Sequence, residues 1–193
     1  MTGEELYRKF LDGDKKAFDE IIRLYHDGLV YFLYGITQNY DDAQDAAADA
    51  FVELLVHSRR YSFRSSLKSY IFSIGRHKAV DIVRKRARQK KKEEYTLTAA
   101  TLPSPEATVL NNEEKQMLKK ALNEINETYS QVLHLVYFEN LSVDEAAKVM
   151  GKSKKSTENC LYRGKIALRQ IYEKNYGVGM SEFINTSDLL MKP

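Results

Sequence analysis

The chain has 193 residues, with 30 lysines and arginines against 27 aspartates and glutamates, a formal net charge of +3 and a single cysteine. That length holds one ordinary domain or two small ones, the lone Cys160 excludes an internal disulfide, and no Cys/His cluster has zinc-ligand spacing. The longest strongly apolar run, Leu29 to Ile36, is interrupted by Gly35 and too short to cross a bilayer, and the acidic start does not read as a signal peptide, so a soluble, cytoplasmic chain without membrane insertion is expected.

Few prolines and few alternating apolar runs predict an all-α fold. A short helix is expected from about Thr2 to Leu11, closed by Asp12-Gly13-Asp14. Phe18, Ile21, Ile22, Tyr25, Leu29, Phe32, Leu33 and Ile36 then form one helical stripe, and Ala43, Ala46, Ala47, Ala50, Phe51, Leu54 and Leu55 a second. Opposite the second stripe, Asp42, Asp45, Asp49 and Glu53 recur three or four residues apart. Such a row repels itself by a few tenths of a kcal/mol per pair, so it reads either as a solvated face or as a surface for a basic protein partner.

A third helix is expected to begin near Ser66, with Leu67, Ile71, Ile74 and Ile82 on its core side, and to run into a basic tail. From Arg76 to Lys92 nine lysines and arginines face one acid, Asp81, which is placed to pair with Arg84 or Lys85. Just ahead, Tyr61, Phe63 and Tyr70 alternate with Arg60, Arg64 and Lys68 beside Ser65 and Ser66. Aromatic faces that stack on unpaired bases while cations hold the backbone are the pattern for single-stranded DNA; the same aromatics also suit a small helical core.

Between Arg88 and Asn112 the periodicity lapses around Pro103 and Pro105. A structureless stretch of that length inside one domain is unusual, so the expectation is two small helical domains, 1–88 and 113–175, joined by a flexible linker at 89–112 and followed by a tail at 176–193. Fully extended, the linker would span about 80 Å. The second domain is expected to carry helices near Glu113 to Asn126 and Ser130 to Glu139, then a helix-turn-helix. In that last unit Ser142 and Glu145 form a capping box, Ala146, Ala147, Val149 and Met150 a buried side, and Gly151 the stop. Ser153 opens a basic helix whose Thr157, Leu161, Gly164, Leu168 and Ile171 share one side, which turns Lys155, Asn159, Tyr162 and Arg163 outward. In a helix-turn-helix that second helix enters the major groove; two packed helices with a solvated basic face would carry the same pattern.

The runs GDKKAFDEIIRLYHDGLVYFLYGITQNYDDAQDAAADAF, FRSSLKSYIFSIGRHKAVDIVRKRAR and YSQVLHLVYFENLSVDEAAKVMGKSKKSTENCLYRGKIAL, in this order, resemble bacterial RNA polymerase sigma factors of the extracytoplasmic-function subfamily of the sigma-70 family. The resemblance implies that Asp42, Gln44, Asp45, Asp49 and Glu53 dock on core RNA polymerase, whose β′ clamp helices and β subunit are the expected contacts. It implies that the following segment melts and captures the minus-ten promoter element through Tyr61, Phe63, Arg64, Ser65, Ser66, Tyr70, Arg76, His77, Lys78 and Arg84. The recognition helix would read the minus-thirty-five element through Lys152, Lys155, Ser156, Thr157, Asn159, Cys160, Arg163 and Lys165. An anti-sigma factor is the further partner implied. Ser66 stands where the family often has tryptophan, His77 where it has asparagine, and Glu158 and Cys160 where Lys and Arg are frequent, so the promoter sequence does not transfer.

No catalytic residue, metal or cofactor is expected, because His26, His57, His77 and His134 assemble into no recognisable triad or metal motif and no glycine loop is built to cradle phosphate. The competing readings are a helix-turn-helix regulator that binds duplex DNA without polymerase, and a nucleic-acid-processing enzyme with Asp42 and Asp45 as its carboxylates.

Overall fold

The computed structural model describes residues 1–93 and 120–176, with side chains 90–93 and 176 excepted. Among these residues all regular structure is helical. Helix α1 spans Gly3–Leu11, α2 Lys15–Thr37, α3 Tyr40–Val56 and α4 Leu67–Glu93, with a 3-10 turn at Ser58–Arg60 between α3 and α4. After a short helical stretch at 120–124 come α5 (Glu127–Leu133), which widens into a π-turn at His134–Phe138, then α6 (Val143–Met150) and α7 (Lys154–Tyr176).

Local chemistry sets these boundaries. Thr2 Oγ1 accepts the Glu5 amide at 3.2 Å while the Glu5 carboxylate accepts the Thr2 amide at 2.8 Å, a capping box that starts α1. Asp14 and Asn39 cap α2 and α3 through single side-chain acceptors, and Gln38 in the left-handed region, φ 51°, ends α2. Leu67, the first residue of α4, has its amide bonded to Glu4 Oε1 at 2.7 Å, so α1 supplies the cap for a helix more than sixty residues later in the chain. The expected capping box of α6 is present, and Gly151 closes that helix at φ 62°, a conformation that strains any residue with a Cβ.

The expected stripes are the cores. Phe18, Ile21, Tyr25, Leu29, Phe32, Leu33 and Ile36 of α2 pack against Ala43, Ala46, Ala47 and Ala50 of α3 and Leu67, Ile71 and Phe72 of α4. Ile74 and Ile82, expected on the core side of α4, are partly buried and pack against this core, whereas Leu55 of the expected α3 stripe is exposed. A second core holds Ala121, Leu122, Ile125, Val132, Leu133, Leu161, Leu168 and Tyr172.

One expected boundary changes. Helix α4 runs to Glu93, into the first residues of the expected linker, because its basic tail keeps good helix formers. The rest of that linker, most of the helix expected from Glu113 and the tail from 177 onward lie outside the described residues. The two halves also share apolar surface: Leu135, Leu141, Ala146, Val149 and Met150 belong to the first core, so the buried side of α6 faces α4. The helix-turn-helix is thus seated on the N-terminal half.

Candidate nucleic-acid and polymerase interface

Helix α3 opens with Asp41 and Asp42, charges that favour a helix N-terminus, and its alanine side lies in the core, so its acidic row points away from α2. Gln44, Asp45 and Asp49 are exposed. The two ends of the row are engaged within the fold: Arg86 of α4 pairs with Asp42, while Lys78 Nζ lies 2.7 Å from Glu53 and Arg60 3.8 Å. The Lys78 hydrogen bond holds the Glu53 carboxyl below its usual range and raises the Lys78 ammonium above its own. Asp42 and Glu53 therefore fasten α3 to α4, a correction to their expected place in a free docking row. Lys78 is correspondingly committed to Glu53 rather than open to DNA.

The aromatic segment divides in the same way. Tyr61 is only 4% exposed, meets Tyr7 edge to face at 5.4 Å and donates its hydroxyl to the Ser65 carbonyl at 2.6 Å; burial pushes its phenol up to about 12. It is a core residue, which corrects the expectation that it stacks on a base. Phe63, with φ 58°, packs 4.7 Å from Tyr61, has the Arg8 guanidinium 4.9 Å above its ring and remains 36% exposed. Tyr70 is half-buried 5.1 Å from Tyr61, Ser65 is half-buried, and Arg64 is exposed. Along α4, His77 and Arg84 face solvent, and Arg84 makes the expected pair with Asp81 at 3.7 Å.

Three polar residues of this segment meet the C-terminal half. Ser66 Oγ donates to the Glu145 carboxylate, Lys68 reaches Glu139, and Arg76 Nε donates to Gln131 Oε1 at 3.5 Å. Burial lowers the Arg76 guanidinium's proton affinity. Glu139 itself is 9% exposed; burial pushes its carboxyl up, but hydrogen bonds from His134 and Lys68 and their charges outweigh this and hold it below its usual range. Sequence reasoning missed Glu139, Gln131 and the second role of Glu145. Nothing local marks them, since the partners of Glu139 and Glu145 lie 71 and 79 residues earlier in the chain.

In the helix-turn-helix, Lys152, Lys155, Asn159 and Arg163 are exposed, while Ser156 and Cys160 are half-buried. Lys165 is half-buried with its Nζ 5.4 Å from the centre of the Tyr137 ring, and burial lowers its proton affinity. Thr157 has no exposure and donates its hydroxyl to the Ser153 carbonyl at 3.1 Å, so it cannot touch a base; the helical stripe that placed it inside is correct and its expected DNA contact is not. Tyr162, 65% exposed, and Ile166 add apolar surface to the outward face. Lys154 pairs with Asp144 at 3.0 Å and ties α7 to α6 across the turn. Among the described residues no cluster of His, Cys, Asp or Glu is arranged to hold a metal, and no helix is long and apolar enough to cross a membrane.

Residues 21–89 match the family model of sigma-70 region 2, and residues 115–168 that of sigma-70 region 4. Among curated proteins the chain is similar to the ECF RNA polymerase sigma factor SigM of Bacillus subtilis, 24% identical over 82% of this chain and 96% of that one, and to SigW of the same organism, 23% identical over 82% and 90%. Two solved structures share the fold: the sigma factor RpoE in complex with the anti-sigma factor NepR from Bartonella quintana, with TM-score 0.66, 20% identity and coverage of 83% of this chain and 99% of that one, and CnrH in complex with the cytosolic domain of CnrY, with TM-score 0.61, 19% identity and coverage of 88% and 96%. With region 2 matched by the half that carries the acidic row and region 4 by the half that carries the helix-turn-helix, the chain belongs to the sigma-70 family of RNA polymerase sigma factors, in its extracytoplasmic-function subfamily.

Proposed function

We infer that the segregated charge of this fold divides the work of a sigma factor among three surfaces. The protein directs promoter recognition and transcription initiation by core RNA polymerase. In the division we propose, Gln44, Asp45 and Asp49 of α3 dock on the polymerase β′ clamp helices, because they are exposed on the outward side of α3 while Asp42 and Glu53 at the ends of the acidic row are held by cations of α4. Phe63, Arg64, Tyr70, His77 and Arg84, with Lys68, bind the unpaired minus-ten strand. Flipping a base costs a few kcal/mol, which stacking at about 1–3 kcal/mol per base offsets.

Lys152, Lys155, Ser156, Asn159 and Arg163 address the minus-thirty-five duplex, cations on phosphates and Asn159 toward base edges. The protein works by binding, in the cytoplasm with the polymerase, and an anti-sigma factor is proposed as its silencing partner because both solved relatives above were captured with proteins of their own complexes. The observation that carries the reading is the outward-facing set of Gln44, Asp45 and Asp49 on the same chain as an outward basic recognition helix.

Run-off transcription with purified core polymerase tests it. Promoter-dependent transcripts that need this protein are expected. Specific duplex binding with no polymerase association would replace the reading with that of a simple regulator, and metal-dependent cleavage of DNA with that of an enzyme.

A further inference from the structure

Three polar side chains of the segment proposed to hold single-stranded DNA already have oxygen partners, all supplied by the C-terminal half. Ser66 gives its hydrogen to the Glu145 carboxylate, Lys68 is held by both the carboxylate and the carbonyl of Glu139, and Arg76 by the amide oxygen of Gln131. Two of these three acceptors are carboxylates, the charge a DNA phosphate would bring. Lys68 and Arg76 lie about 12 Å apart along α4, so the contacts run along the helix rather than meeting at one point.

The seat of Glu139 is built for it. The π-turn closes through the Glu139 amide on the His134 carbonyl at 3.1 Å, and His134 Nε2 lies 3.2 Å from Glu139 Oε1. The His134 ring packs 5.0 Å from Tyr31 and 5.8 Å from Phe32 of α2. Directly opposite the carboxylate stands Gly28, where a Cβ would come within 2.6 Å of Glu139 Oε1. A bare backbone on α2 is what lets the carboxylate in.

From this geometry we propose that the C-terminal half is an intramolecular competitor of DNA: in the closed chain Glu139 and Glu145 occupy the anion positions at Ser66 and Lys68 of the minus-ten surface, and that surface becomes complete only when α5 and α6 lift off α4. The proposal rests on the assignment of that surface to single-stranded DNA. The closed state is selective, because Lys152, Lys155, Asn159 and Arg163 stay exposed in it. Duplex binding by the recognition helix is therefore open, while capture of the unpaired strand is weakened by the loss of Ser66, Lys68 and Arg76 and left to the exposed Arg64, His77 and Arg84. The ion pair itself gains little net free energy over desolvation, so the apolar packing of Leu135, Leu141, Ala146, Val149 and Met150 against the first core is what mainly sets the cost of opening.

A reversible lock tests the proposal. The chain carrying Gly28→Cys and Glu139→Cys in a Cys160→Ser background is oxidised to join the halves or reduced to free them, and each form is titrated with fluorescent random-sequence DNA, single-stranded and duplex. The reduced form is expected to bind single strands about tenfold more tightly than the oxidised form, the ratio set by the fraction of open chain, with duplex affinity the same in both. In parallel, Glu139→Ala alone is expected to bind single strands several-fold more tightly than the parent chain. Equal single-strand affinity of the oxidised and reduced forms would overturn the competitor while leaving the DNA assignment intact. Binding of single strands by neither form would remove the DNA assignment itself, and the inference with it.

Discussion

Lys68 Nζ lies 2.6 Å from Glu139 Oε2 and 2.8 Å from the backbone carbonyl of the same residue, so one lysine at the start of α4 holds both the charge and the chain of the turn that precedes the helix-turn-helix. The pair is mostly removed from water, with side-chain exposures of 25% and 10%. Its attraction and the desolvation cost of the two charges nearly offset each other, whereas loss of one partner leaves the other poorly solvated.

Glu139→Gln is accordingly expected to weaken closure by about 2 kcal/mol, less than for a fully buried pair because Lys68 retains some water. Hydrogen exchange of the α6 amides reads this. They should lose protection in the variant while the α2 and α3 amides keep theirs, and unchanged α6 protection would show that the ion pair does not hold the halves together.

Acid should open the same contact. The Glu139 carboxyl is held below its ordinary value of 4.5, so its contribution is complete above that value and is lost as pH falls through the lower, folded-state value. The groups facing it are Lys68 from α4 and His134 from the π-turn, with the uncharged Gly28 on α2. Glu145, also held low and bonded to Ser66 across the same contact, adds to the loss in the same direction. Small-angle scattering should show the chain expanding below about pH 4.5, and Glu139→Gln should reduce the amplitude of that expansion.

Charge reversal separates the docking acids from the structural ones. Asp45→Lys with Asp49→Lys should abolish binding to core polymerase with little change in melting temperature, since both residues are exposed and interactions of exposed charges are worth little. Asp42→Ala removes the Arg86 pair and is expected to cost at most about 1 kcal/mol, the scale of a partly exposed ion pair. Pull-down on core polymerase alongside thermal melts distinguishes the two; retained binding by the double reversal would remove the docking assignment.

Tyr61 and Phe63, two residues apart, should respond oppositely. Tyr61→Ala empties a core site and is expected to destabilise the chain by about 3–4 kcal/mol, whereas Phe63→Ala should cost about 1 kcal/mol and act mainly on single-strand binding. Denaturant titrations compared with oligonucleotide affinity check the split.

On the recognition helix, Arg163→Ala should lower the salt slope of duplex binding by about one unit if it contacts phosphate. Thr157→Val, which loses only a bond to the Ser153 carbonyl, should reduce stability by about 1 kcal/mol and leave the slope unchanged. A lowered slope for Thr157→Val would mean that the helix turns in solution to expose it.

Much of this was legible from residues close together in the chain. The capping box at Ser142, the stop at Gly151 and the stripes of α2, α3 and α7 follow from hydrogen-bond demands and a 3.6-residue period, both properties of a few turns of chain. Thr157 shows where such reasoning sufficed: its place on the stripe put it inside, and inside is where it lies. The acidic row was equally plain, but whether each acid is free was not. That depends on which cations α4 brings alongside, and α4 carries cations enough for any pairing; packing chose Arg86 for Asp42 and Lys78 for Glu53 and left Asp45 and Asp49 outward. Tyr61 fell to the core because α1 arrives with Tyr7 to cover it. The grip of Glu139 on Lys68 is the furthest from local pattern, for it requires a wide helical turn, a bare glycine on α2 and a lysine 71 residues away to meet at one point, which only the folded chain brings together.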